Sequence, residues 1–104
     1  MEDWTIEEMT GYKPQTTFYT DFSIADKFGI DAVKDTYKRA FEAWKNNVVY
    51  MTELTMALNW KGWRWWEANR PLAEVYFDLY NTAAEYCVNN FKGADLDYYY
   101  STTD

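Results

Sequence analysis

Three features of this sequence predict an all-α fold. Only 4 Gly and 2 Pro occur in 104 residues, which suits long helices rather than many turns. Aromatic residues make up 21% of the chain, far more than an unstructured acidic polymer carries, so a packed core is expected. Apolar side chains recur every seven residues at Ile30, Tyr37, Trp44, Met51, Leu58 and Trp65, the repeat of a helix that packs along its length. The length fits a single domain, residues 1–104, with one core of modest size.

Residues 1–29 read as an irregular N-terminal segment packed on the helices. Thr5-x-x-Glu8 fits a capping box for a short turn over Thr5–Met9, ended by Gly11 and Pro14. Gln15 to Phe22, rich in Thr and aromatics, reads as extended or irregular. Ser23-x-x-Asp26 starts a second short turn, stopped at Gly29.

Asp31 is a suitable N-cap for the next element. The sevenfold repeat runs without a change of phase through Asn46-Asn47, and Val33, Ala40, Phe41, Val48 and Leu54 supply most of a second seam. This predicts one long helix over 31–68, on the order of 55 Å at 1.5 Å per residue. A kink at Asn46-Asn47 giving two shorter helices is the alternative.

Asn69-Arg70-Pro71 marks a sharp junction, because Asn caps helices and Pro suits a first turn. Leu72, Val75, Tyr76, Leu79, Ala83, Tyr86, Cys87 and Phe91 then recur at three and four, predicting a helix over 71–92 that stops at Gly93. The two helices form an antiparallel hairpin of unequal arms within a small bundle. The first half of the long arm then needs cover, from residues 1–29 or from a second copy of the chain. Residues 94–104 form a Tyr-rich tail able to add one helical turn docked on the bundle. Gly62, seven residues after Thr55 within the helical repeat, predicts a close helix crossing.

The chain carries a net charge of -7, unevenly spread. Residues 1–26 hold six acids and one base, residues 27–66 four acids and seven bases, and residues 67–104 seven acids and two bases. An acidic surface repels nucleic acid and anionic membranes, so neither is an expected direct partner. A basic middle between acidic ends can fold on itself or guide two chains together, and a homodimer is expected. With no His and one Cys, a Cys/His zinc site, a Ser-His-Asp triad and a Cys-His dyad cannot form within one chain. No cofactor, metal or catalytic residue is therefore predicted. One Cys allows no internal disulfide, and Met1-Glu2-Asp3-Trp4 lacks the basic start of a signal peptide, so a cytoplasmic location is expected.

Three groups of residues are candidate partner contacts. Glu74, Asp78 and Glu85 fall within about 40° of one another on the second helix, opposite Leu72, Leu79 and Tyr86. That stripe imitates nucleic-acid phosphates or is simply the solvated face of an amphipathic helix. Trp60, Trp63, Trp65 and Trp66 span too much of a helix circumference to share one core. Trp60 and Trp63 are the two expected at the surface, as an aromatic patch or as the edge of a plug shielded by Lys61 and Arg64. The tail Asp97-Tyr98-Tyr99-Tyr100 is expected to dock first on its own bundle and then on a partner. Cys87 reads as a small buried residue.

The stretch from Met51-Thr52-Glu53-Leu54 through Asn59-Trp60-Lys61, with the ending Tyr100-Ser101-Thr102-Thr103-Asp104, resembles small uncharacterised proteins encoded by gut bacteria and their phages or mobile elements. The similarity covers the chain from about Asp21 onward. It implies a genomic setting in which small, acidic, aromatic-rich proteins act by stoichiometric binding, as DNA-mimicking anti-restriction and anti-CRISPR proteins do. The expectation is a non-catalytic inhibitor that occupies a basic surface of a host nucleic-acid-binding protein. A self-assembling structural protein of a phage or mobile element is the alternative, and an enzyme ranks third.

Overall fold

The computed structural model describes residues 18–103. They form α1 (Phe18–Asp26), α2 (Ile30–Trp44), α3 (Val48–Trp65), α4 (Arg70–Asn90) and α5 (Ala94–Thr103). No strand occurs among the described residues, so the fold is all-α. The turn expected at Thr5–Met9 lies outside the described residues. The extended reading of Gln15–Phe22 is corrected from Phe18 onward, where the chain is helical. Phe18, Phe22 and Ala25 recur at four and three and are all buried, and that packing overrides the weak strand preference of Thr and aromatics.

Gly29 separates α1 from α2. Its φ of 109° is open to glycine and strained for other residues. Its N–H donates to the Ala25 carbonyl at 3.2 Å, and its carbonyl accepts from Val33 N–H at 3.2 Å. Gly29 therefore closes one helix and opens the next. It takes the N-cap place expected of Asp31, which lies instead in the first turn of α2.

The single helix over 31–68 does not form. The chain leaves the helical path at Lys45–Asn47 and restarts at Val48. Asn47 is the reason: its backbone is extended, and its side-chain oxygen accepts from the N–H groups of Val49 at 3.0 Å and Tyr50 at 3.2 Å. Those bonds satisfy donors that a new helix leaves unpaired. The sevenfold repeat survives because both helices face one core. Trp44, Met51 and Leu58 are buried, while Ile30, Tyr37 and Trp65 are partly buried against them. Constant phase therefore marks a shared core, and it does not require an unbroken helix.

The break also removes the uncovered half-helix. α2 packs on α1 and α4, so residues 30–44 are covered within the chain. The unequal arms expected of 31–68 and 71–92 become helices of 18 and 21 residues. α3 lies at the centre, packed most extensively on α4 and also touching α1, α2 and α5. Asn69 caps α4 as expected, its side chain accepting from Leu72 N–H at 3.2 Å with Pro71 in the first turn. α4 ends at Asn90, two residues short of the expected Lys92, because Phe91 turns to extended backbone and buries its ring. Gly62 carries a close crossing: a Cβ there would lie 2.6 Å from the Phe77 ring.

Candidate functional site

Two open surfaces and one buried polar cluster stand out. The first surface is the outer side of α4. Leu72, Ala73, Tyr76, Ala83 and Cys87 take the inner side. Glu74, Asp78 and Glu85, with Asn81 and Asn89, are left exposed on the other. Among the described residues the ion pairs are Asp35–Arg39 and Glu42–Lys45 on α2, and Asp26–Lys61 between α1 and α3. No cation of the described residues pairs with the carboxylates of α4, and Glu74, Asp78 and Glu85 are exposed.

The second surface is on α3. Trp60 is 64% exposed and Trp63 62% exposed. Trp60 meets Tyr19 edge-on at 5.8 Å. Trp63 packs against Phe77 at 5.2 Å and Trp66 at 5.8 Å, and Arg70 stacks on Trp66 at 3.7 Å. The expected shielding of the tryptophan cluster is seen on Trp65, with Arg64 over its ring at 5.0 Å and Lys61 at 5.7 Å. Beside Trp60 lies a groove of about 430 Å³, lined by Phe18, Tyr19, Glu53, Met56, Ala57 and Trp60.

The tail divides. α5 leaves Asp97, Tyr98 and Tyr100 exposed and buries Tyr99. Successive helical residues point about 100° apart, so three neighbouring Tyr side chains cannot share one direction. Tyr99 is therefore corrected from partner contact to core residue. Its hydroxyl is pushed up to about 12 by burial and then by the nearby Cys87 and Tyr80, against a hydrogen bond with Thr55 that favours ionisation.

The buried cluster was not foreseen. Lys61 is only 2% exposed. Its ammonium pairs with the Asp26 carboxylate and donates to Ser23 Oγ at 3.0 Å. Trp65 Nε1–H donates to Asp26 Oδ2 at 2.9 Å, and the Tyr76 hydroxyl donates to Oδ1. Burial, followed by that bond and the Asp26 charge, drives the Tyr76 hydroxyl far above the ordinary tyrosine range. A signal for the cluster existed. Leu54, Leu58, Lys61 and Trp65 recur at four and three, placing Lys61 on the packed face. The cluster ties α1 to α3 and α4.

Cys87 is fully buried, and burial pushes its thiol up to about 11. At neutral pH it is a thiol and not the reactive thiolate. Among the described residues no three His, Cys, Asp or Glu side chains gather where a metal ion would sit. No helix among them is long and apolar enough to cross a membrane.

Comparison of the chain with known protein families, curated proteins and solved structures finds no match.

Proposed function

We propose that this chain is a non-catalytic protein-binding module of the phage or mobile-element type, acting in the cytoplasm as an inhibitor or modulator. Its acidic α4 face occupies a basic surface of a host nucleic-acid-binding protein, in the manner of a DNA mimic or anti-CRISPR protein. One observation carries this reading: Glu74, Asp78 and Glu85 stand exposed along one side of α4, with no cation of the described residues paired to them. Eleven residues of helix separate the outer two, about 16 Å at 1.5 Å per residue. A nucleic-acid strand carries one charge per roughly 3.4 Å, so the stripe is the sparser of the two. Charge alone gives it modest affinity, and apolar contact must add to it. Tyr98 and Tyr100, exposed beside Asp97 on α5, are suited to that role.

The test is capture from host lysate with tagged protein, followed by binding to the recovered target. Changing Glu74, Asp78 and Glu85 to Gln, Asn and Gln should slow association, and wild-type affinity should fall steeply with salt. A target held equally well by the triple variant refutes the acidic face as the contact. A second reading, a self-assembling structural or assembly protein, is supported by the exposed Trp60 and Trp63 side chains.

A further inference from the structure

Lys27, just after α1, and Arg64, near the end of α3, are exposed and line one cavity of about 410 Å³. Neither belongs to an ion pair of the described residues, which join Asp35 to Arg39, Glu42 to Lys45 and Asp26 to Lys61. Ser23 and the buried Lys61 line the same cavity. The Lys61 ammonium has three N–H donors, of which Asp26 takes one and Ser23 Oγ another. The third meets no acceptor among the described residues, and the Ser23 hydroxyl hydrogen meets none either.

Asp26 leaves the two outer cations unmatched, because Lys61, Trp65 and Tyr76 already take its oxygens. The wall therefore holds Lys27, Lys61 and Arg64 against the single carboxylate of Asp26, a net charge of +2. On a chain of net charge -7, that sign is set locally. Arg64 rests over the Trp65 ring at 5.0 Å and Lys61 over the Tyr19 ring at 4.7 Å. Ring contact of this kind holds a cation in place without consuming its hydrogen-bond donors.

We propose that this cavity binds a phosphate group, either free or borne by a small molecule. The donors on its wall are an ammonium, a guanidinium, one further N–H of Lys61 and a hydroxyl. A phosphate monoester brings three acceptor oxygens and nearly two negative charges at neutral pH, whereas a carboxylate brings two oxygens and one charge. The phosphate matches the net charge of the wall, and a carboxylate leaves half of it unmet. Guanidinium also pairs with two phosphate oxygens at once. The volume lies within the range of small-ligand pockets, and Tyr19 and Trp65 give it aromatic walls for the rest of a phosphorylated molecule. The inference stands apart from the acidic-face reading, since Glu74, Asp78 and Glu85 are on α4.

Titration calorimetry of the full chain with inorganic phosphate, phenyl phosphate and benzoate tests the proposal. At least one of the two phosphates should bind with a Kd of about 1 mM or tighter, and weaker binding of both overturns the site. Benzoate should bind at least about tenfold more weakly than that phosphate, and a smaller gap overturns the preference for phosphate. Tighter binding of phenyl phosphate assigns a phosphorylated small molecule, and equal or tighter binding of inorganic phosphate assigns the free ion. Lys27→Gln and Arg64→Gln should keep the helical circular dichroism of the wild type and each weaken phosphate binding by about tenfold. Ser23→Ala should weaken it by about threefold. A folded Lys27→Gln, Arg64→Gln double variant that binds phosphate like the wild type overturns the assignment. The triple change on α4 should not weaken phosphate binding, so failure of the two proposals is separable.

Discussion

Met51, Leu54, Leu58 and Lys61 on one side of α3 are buried, whereas Val49, Met56, Trp60 and Trp63 on the other side of the same helix lie open to solvent. Both sides have the spacing of a packing seam. The covered side even contains a lysine, and the open side holds two tryptophans. Hydrophobicity alone therefore does not sort the residues of this helix. The inner side is covered because α1, α2, α4 and α5 all pack against α3, and Lys61 is tolerated there because Asp26 and Ser23 satisfy it.

The sharpest way to test this contrast is to remove the buried cation. Lys61→Ala leaves the Asp26 carboxylate buried without its counter-charge, and should cost about 3–5 kcal/mol in urea unfolding. A loss below about 1 kcal/mol would mean that α1 is held by the apolar contacts of its buried Phe18, Phe22 and Ala25.

Alkaline pH probes the same covered interior. Burial raises Cys87 from 9.0 to about 11, and Tyr37 and Tyr99 from 10.0 to about 12. The unfolded chain releases these protons first, so folding stability is intact below pH 9 and declines as pH rises toward 12. Cys87 contributes about 2–3 kcal/mol of this span by the usual conversion of a two-unit shift. Thermal melts from pH 8 to pH 12 should fall from pH 9 onward, and Cys87→Ala should delay the onset toward pH 10.

Gly62→Ala examines the closest point of the inner side. The added Cβ meets the Phe77 ring, which packs edge-on against both Trp63 and Trp66. Overpacking of about 1–3 kcal/mol should outweigh the gain of about 1 kcal/mol in helix propensity. Adding Phe77→Leu should recover part of the loss.

Asn47→Ala should destabilise by about 0.5–2 kcal/mol through loss of the α3 cap, while Asn46→Ala should change little. Equal stabilisation by both changes would restore the continuous helix. The smallest effect belongs to the open side: Trp60→Ser should alter the monomer's unfolding free energy by about 1 kcal/mol or less, because most of the ring already meets water.

Much of the fold is legible in single residues. Asn69 and Pro71 announce the start of α4, Gly93 closes its exit with φ of 60°, and Gly29 punctuates α1 and α2. The outward positions of Glu74, Asp78, Glu85, Trp60 and Trp63 follow from helical spacing alone. The errors share one cause. The helical path of Phe18–Phe22, the restart at Asn47 and the burial of Tyr99 each depend on what a residue packs against, and local pattern leaves that open.

The sequence by itself determined that the chain is helical, that Gly29, Asn69-Arg70-Pro71 and Gly93 mark helix boundaries, and which side of each helix is apolar. Those properties are local: backbone preference, capping and a period near 3.6 act within a few residues. Only the tertiary structure decided that Asp26 meets Lys61 across 35 residues, that α2 turns back onto α1 and α4, and that one apolar side of α3 is covered while the other stays open. Those outcomes depend on contacts between distant segments, whose partners no local periodicity specifies.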